Sequence, residues 1–481
     1  MLELVLSAGL LIVAPASFHP ELADYVFAKA AERPVRLVAL EDVLASAPGI
    51  DDPERLKRFL YKAHRTEQVG FVLLIGDADV LPVRYMTLDR LHAPAFDYAF
   101  YPSDLYYADV AKPDGSFEDW NGSREGFHAG YFGEVHGEKH KQGPINFDRI
   151  DYVPELAVGR WPCSTAAEVR SVAKKTLRHL AAARRARSDT ASSRAAESGS
   201  RGRSGSESLP TTPSVPSVPS TSNATASISR ETALLIAVDG WIDNTPAMDV
   251  VAASLAPRFA AEKLYWSGVH RQVGAPAPDE AQVLRAISKS PALVLHSGHG
   301  NDDVWEKALS VGSLPKLGND SRPAVMMSAG CSTARFATLP PYEAYVDVDG
   351  IEHAGTNHGE VFTAPPPPPR PYQRGRFNPT GLGECLVREA EGGAVAYIGC
   401  NTGSQPCALT LQAAFAEAAG RAFSDGDGSP QTVGSAWRRA LAEYVRRERL
   451  RELAPTSAWY PASIFFQGMK FMLFGDPTAP L

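Results

Sequence analysis

Cysteine is scarce in this chain. The 481 residues hold five, Cys163, Cys331, Cys385, Cys400 and Cys407, odd in number and irregularly spaced, which argues against a disulfide framework. Cys400 and Cys407 could pair in an exported chain, but burial as thiols is the simpler reading. Paired Cys/His spacing is also missing, so no zinc site is expected. There is no excess of basic charge: the formal net charge is −7, which leaves nucleic acid without an electrostatic footprint on the folded parts. No apolar run reads as a membrane span, and membrane is not an expected partner. The apolar stretch from Leu4 to Val13 lacks a basic segment before it and carries Glu3, so it reads as a first core strand rather than a signal peptide, with a cytoplasmic location slightly favoured. What remains, 44% hydrophobic and 21% charged residues, is the composition of a soluble globular chain too long for one ordinary core.

Short apolar runs alternate with helical periodicity. Leu10 to Val13, Val35 to Leu40 and Phe71 to Ile75 read as strands, with helices over Pro20 to Arg33 and Asp52 to Gln68. This alternation predicts a parallel sheet covered by helices. A strand ending at Trp161 is followed by a helix from Thr165 to Arg184. From residue 185 to 230 Ser, Arg, Gly, Thr and Pro dominate, too little apolar surface to offset the entropy of ordering, so a disordered linker is expected there. Leu234 to Val238 resumes the strand pattern. The expected organisation is an amino-terminal α/β subdomain at 1–184, the linker at 185–230 and a second α/β subdomain at 231–481, each a parallel sheet with helices on both faces.

The chemistry concentrates between Pro291 and Phe336. Ala292 to Leu295 is a buried strand that stops at His296-Ser297-Gly298-His299-Gly300, and Pro323 to Met327 is another that stops at Ser328-Ala329-Gly330-Cys331. Neighbouring parallel strands ending at one level would set His299 beside Cys331 at the carboxyl edge of a sheet, where open α/β folds bind ligands. A thiolate, not a thiol, attacks a carbonyl, so an imidazole within reach both activates the sulfur and protonates the leaving amine. The backbone N–H groups of Gly300 and Cys331 are the natural donors to an oxyanion. His296 reads as a strand or supporting residue rather than the base.

His299-Gly300 with Trp305 six residues on, and Cys331 with Phe336 five residues on, thirty-two residues apart, resemble the gingipain-type cysteine peptidases of the caspase-like superfamily. Gly76-Asp77 with Leu81-Pro82, Gly392 to Ala396 and the ending Gly475-Asp476-Pro477 also resemble that family. The resemblance implies a caspase-like α/β fold and a cysteine endopeptidase with His299 and Cys331 as its catalytic dyad. It also implies a preference for basic residues at the cleaved position through an acidic loop residue, for which Asp239 and Asp243 are candidates, with Trp305 a further substrate-binding candidate. Protein or peptide substrates are the expected partners, and no cofactor is required. The acidic loop carrying Asp109, Asp114, Glu118, Asp119 and Asn121 before Tyr131 to Glu134 lacks EF-hand spacing and reads as solvated; the resemblance adds calcium as its candidate ion. Pro365 to Pro369 is a polyproline run suited to a proline-binding domain or to a spacer beside the site. The competing reading is a catalytically inactive caspase-like module that binds partners. A phosphate-binding loop at Gly298-His299-Gly300 is the poorest, since neither a glycine-rich fingerprint nor a P-loop lysine accompanies it.

Overall fold

A computed structural model describes residues 8–87, 100–121, 131–132, 150–200, 230–238, 240–266, 276–356, 367–370, 380–389, 391–422, 431–454, 464–465 and 467–481, with backbone alone for 186–200. The expected stretches from 201 to 229, Asp239, Glu134, Pro365 and Pro366 lie outside them.

Ten strands form one sheet: β1 (Gly9–Ala14), β2 (Val35–Ala39), β3 (Val69–Ile75), β4 (Ala157–Trp161), β5 (Glu231–Ala237), β6 (Phe259–Tyr265), β7 (Leu293–Ser297), β8 (Ala324–Ser328), β9 (Ala394–Cys400) and β10 (Phe471–Gly475). Their spatial order is β2-β1-β3-β4-β10-β9-β8-β7-β5-β6. Strands within each half are parallel, but β10 is antiparallel to β9 and parallel to β4. The two halves, expected as separate parallel sheets, are thus joined edge to edge through the carboxyl-terminal strand. Edge pairing of this kind satisfies N–H and C=O rows that two separate sheets would leave open.

The helices used below are α1 (Ala23–Ala30), α2 (Asp52–Glu67), α3 (Ala166–Ser200), α4 (Thr245–Leu255), α5 (Glu280–Ile287), α6 (Leu382–Arg388), α7 (Ala408–Ala419) and α8 (Val433–Arg447). They cover both faces, and the strands show why. Leu11, Val13, Leu295, Val325 and Met327 point into the core under α2, α4, α7 and α8, whereas Leu10, Ile12, Val294 and Met326 point into the core under α1, α3, α5 and α6. Because successive strand residues alternate between faces, a strand covered on both sides must be apolar throughout, and it reads as an unbroken apolar run. Helix ends follow local chemistry. Asp51 accepts from Glu54 N–H at 3.0 Å to start α2, and Asp279 accepts from Gln282 N–H at 2.7 Å to start α5.

Helix α3 runs to Ser200 instead of stopping at Arg184. The alanines and arginines beyond that point are strong helix formers, and a segment without a core face can still propagate a helix already nucleated by packing. The long loop after Phe336 also contains structure: Tyr345–Val346 pairs with Glu352–His353, and the Tyr345 hydroxyl accepts from Arg370 N–H at 3.1 Å, just past Pro367 to Pro369.

Candidate active site

Strands β5, β7, β8 and β9 are mutually parallel, so the loops after them emerge at one edge of the sheet. The chain runs from β5 outward to β6 and then returns to β7 on the other side of β5, which makes the gap between β5 and β7 a topological switch point. The pocket at this edge draws its lining from all four loops. His299 follows β7 and Cys331 follows β8, and both line it. The register explains the match of levels: Ser328 pairs with His296, so the two reactive side chains each sit three residues beyond a paired position.

Two glycines let the loops meet. A Cβ on Gly330 would lie 3.2 Å from both the Gly298 carbonyl oxygen and the Gly300 nitrogen, and one on Gly300 would lie 2.6 Å from Thr333 Cγ2 and 3.2 Å from the Cys331 carbonyl oxygen. Side chains at either position would push the histidine and cysteine loops apart. The cysteine turn is completed by Ser332 in the left-handed region, φ 54°, with its N–H donating to the Thr402 carbonyl at 2.7 Å. Gly330 N–H donates to Ser328 Oγ at 3.1 Å. Between these two engaged amides, the N–H of Cys331 has no acceptor among the described residues.

The thiol of Cys331 is half-buried and rests against the loop after β9: Ser404 N–H donates to Sγ at 3.3 Å, and the Ser404 carbonyl lies 3.6 Å away. Ser404 thus offers the sulfur one main-chain donor and one main-chain acceptor. The loop itself is anchored from β10, whose amino end lies at the same edge. Asn401 N–H donates to the Lys470 carbonyl at 2.9 Å, Gln405 N–H donates to Gln467 Oε1 at 3.1 Å, and Gln467 Nε2 donates to Ser404 Oγ at 3.2 Å. All five cysteines are free thiols, so Cys400 and Cys407 do not pair. Burial pushes the Cys385 thiol up to about 12 and the Cys407 thiol up to about 11, and neither lines the pocket.

His296 is fully buried, and burial holds its pKa down at about 3. Its Nδ1 is 2.9 Å from Ser328 Oγ, and its ring stacks on Trp305 at 4.7 Å with 2° between planes. Neutral and away from the pocket, it cannot serve as the base.

Trp305, a substrate-binding candidate from the sequence, is displaced from that role: it is fully buried between His296 and Tyr397, donating from Nε1 to the Tyr397 hydroxyl at 3.0 Å. Its six-residue spacing from His299 reflects a hairpin, in which Gly300 pairs with Trp305, and the indole returns under the loop as support. Burial pushes the Tyr397 hydroxyl up to about 12, so it stays a neutral donor and acceptor. Tyr397→Phe leaves the buried Trp305 N–H without its acceptor and is expected to cost about 1–3 kcal/mol of stability, read from the urea midpoint; an unchanged midpoint would remove this stack from the supports of the site.

Asp243 is exposed and accepts from Thr245 N–H at 3.0 Å at the start of α4. It does not line the pocket, although its neighbours Trp241, Ile242 and Asn244 do. Asp239 lies outside the described residues. Sequence reasoning missed those neighbours and the Ser404 to Leu409 wall, because the strand order that brings the β5 and β9 loops to the same edge is not local information.

On the acidic loop, Asp109 Oδ2 accepts from the Trp120 indole at 2.9 Å, and Asp114 accepts from Ser116 N–H and Oγ at 2.9 and 2.6 Å. Buried Lys57 lies beside Asp109 and Glu118 and over the Tyr106 ring at 4.4 Å. Among the described residues, no group of three or more His, Cys, Asp or Glu side chains converges as a metal site would require.

The family model for peptidase family C25 matches residues 5–481. No curated protein matches the sequence. Among solved structures, that of the Arg-specific cysteine proteinase gingipain R superposes with a TM-score of 0.56 at 13% identity, covering 98% of this chain and 78% of the other. The complex of the pro- and mature domains of RgpB from Porphyromonas gingivalis gives 0.55 at 12% identity, with 98% and 80% covered. At such identities the likeness is one of fold, here the caspase-like α/β fold.

Proposed function

The chain belongs to peptidase family C25 and is a cysteine-type peptidase, and from that premise we propose that it is an endopeptidase working through a dyad of His299 and Cys331. The observation that carries this reading is that these two side chains line one pocket at the switch point of the sheet. His299 takes the thiol proton, and Cys331 Sγ attacks the peptide carbonyl. The oxyanion of the tetrahedral adduct is met by the N–H groups of Cys331 and Gly300. Collapse returns the proton from His299 to the leaving amine and leaves a thioester, which water cleaves with His299 again as base, releasing the carboxylate and restoring the thiol.

Support for the first step comes from His299 and Cys331 facing one pocket, and support for the oxyanion site from the Cys331 N–H, which has no acceptor among the described residues. A preference for basic residues finds no acidic partner among the described pocket residues.

An electrophilic peptide probe tests the assignment. It is expected to label Cys331 at least about 100-fold faster than a free thiol, and replacing His299 by alanine is expected to remove that advantage. Labelling at the free-thiol rate would favour a silent partner-binding module instead.

A further inference from the structure

Apart from His299, the described side chains around the pocket beside the dyad are apolar or neutral, and we infer that it selects a large apolar residue, of the size of leucine or phenylalanine, on the acyl side of the cleaved bond. The inference rests on the dyad reading, since Cys331 defines where the scissile carbonyl sits.

The walls come from three segments: Trp241 and Ile242 after β5, Ala329 before the cysteine, and Pro406 with the first turn of α7, Ala408 and Leu409, after β9. Trp241 and Ile242 are 53% and 47% exposed, and together with the other apolar lining they form a contiguous apolar surface at the pocket mouth. The Trp241 ring centroid lies 6.5 Å from that of His299 with the planes tilted by 60°, so a side chain bound beside His299 would lie against the indole.

The loop that presents Trp241 is set from inside. Asn244 is buried, its Nδ2 donates to the Val238 carbonyl at 3.2 Å, and a Cβ on Gly240 would lie 3.0 Å from its Oδ1. With the amide folded back under the loop, residues 241 and 242 face outward into the pocket mouth.

The polar lining is neutral: Asn244, Ser297, Ser404 and Gln405. Apart from His299 no described residue lining the pocket is ionisable as a base or a carboxylate. A guanidinium or ammonium entering it would give up water and gain no opposite charge, whereas an apolar side chain exchanges water for the faces of Trp241, Ile242 and Leu409. Among the described residues no acid lines these walls; Asp243, the acid on this loop that the structure describes, accepts from Thr245 N–H.

The test is a positional peptide library cleaved by the full chain, with Cys331→Ala run beside it. Leucine, methionine or phenylalanine at the cleaved position is expected to exceed arginine and lysine by at least about 10-fold in kcat/KM. Trp241→Ala should lower the value for phenylalanine by about 10-fold with a much smaller loss for alanine, and Leu409→Asp should narrow the gap to arginine by a similar factor. Cleavage confined to arginine or lysine, or a profile flat across residue types, overturns the apolar pocket while leaving the cysteine mechanism intact; if the arginine preference then disappears in Asp239→Ala, that residue supplies the missing charge. Cleavage that survives Cys331→Ala overturns both.

Discussion

Cys331→Ala is expected to lower peptidase turnover by about 10⁴-fold or more while leaving the urea midpoint nearly unchanged, and His299→Ala should approach the same floor. Both parts of that outcome follow from the geometry. The sulfur is half-buried at the mouth of a loop, held by Ser404 main-chain atoms at 3.3 and 3.6 Å, so its removal forfeits little packing. Chemically it forfeits the bond-forming atom. If the two residues act in one step, as proposed, the double variant should be no slower than the worse single variant, which a set of unrelated surface contributions would not reproduce. Steady-state rates on a cleavable peptide, taken with circular dichroism of each variant, make the measurement. Undiminished cleavage by purified Cys331→Ala would assign the hydrolysis to another group.

The placement of His299 and Cys331 was legible in the sequence because both follow the end of an unbroken apolar run, and strand ends are readable locally. Their shared edge followed once the strands were taken as parallel neighbours, and the observed pairing of Ser328 with His296 is that arrangement. The local signal ran out where residues distant in the chain meet. Trp305 shows how: six residues after a histidine is a spacing consistent with either a pocket wall or a hairpin return, and only the three-dimensional stack on His296 and Tyr397 separates them. Burial of both sheet faces likewise explained the apolar strands, but nothing within β10 says that it lies between β9 and β4 and fuses the halves. The pocket walls at Trp241 and Leu409 were invisible for the same reason, being set by strand order rather than by any motif.

Lys29→Met is expected to cost about 3–5 kcal/mol of folding stability at neutral pH, the largest stability loss predicted for a single side chain here. The Lys29 ammonium is fully buried and lies 2.8 Å from Asp476 Oδ2, also fully buried, which joins α1 to the turn just after β10. Burial alone would raise the Asp476 pKa, but the charge of Lys29 and the bonds from Thr478 N–H and Oγ at 2.7 and 2.6 Å outweigh it and hold the carboxyl below its ordinary value. A depressed folded pKa gives stability that is present above the unfolded value, near pH 4, and lost as pH falls through the folded one. Removing the ammonium reverses the sign: the carboxylate becomes a lone buried charge, its pKa rises, and the variant gains relative stability as acidification neutralises it. The gap between wild type and Lys29→Met should therefore be widest at neutral pH and narrow toward pH 5, and Lys29→Met with Asp476→Asn should recover most of the loss. Urea denaturation at a series of pH values reads all three. The same experiment bears on the site, because the residues just before β10 hold the loop behind Cys331 through Lys470 and Gln467. If the pair secures β10 between the two halves, probe labelling of Cys331 should slow in Lys29→Met and return in the double variant; a pH-independent gap, or labelling indifferent to both changes, would make the pair a local contact of α1 with no hold on the catalytic edge.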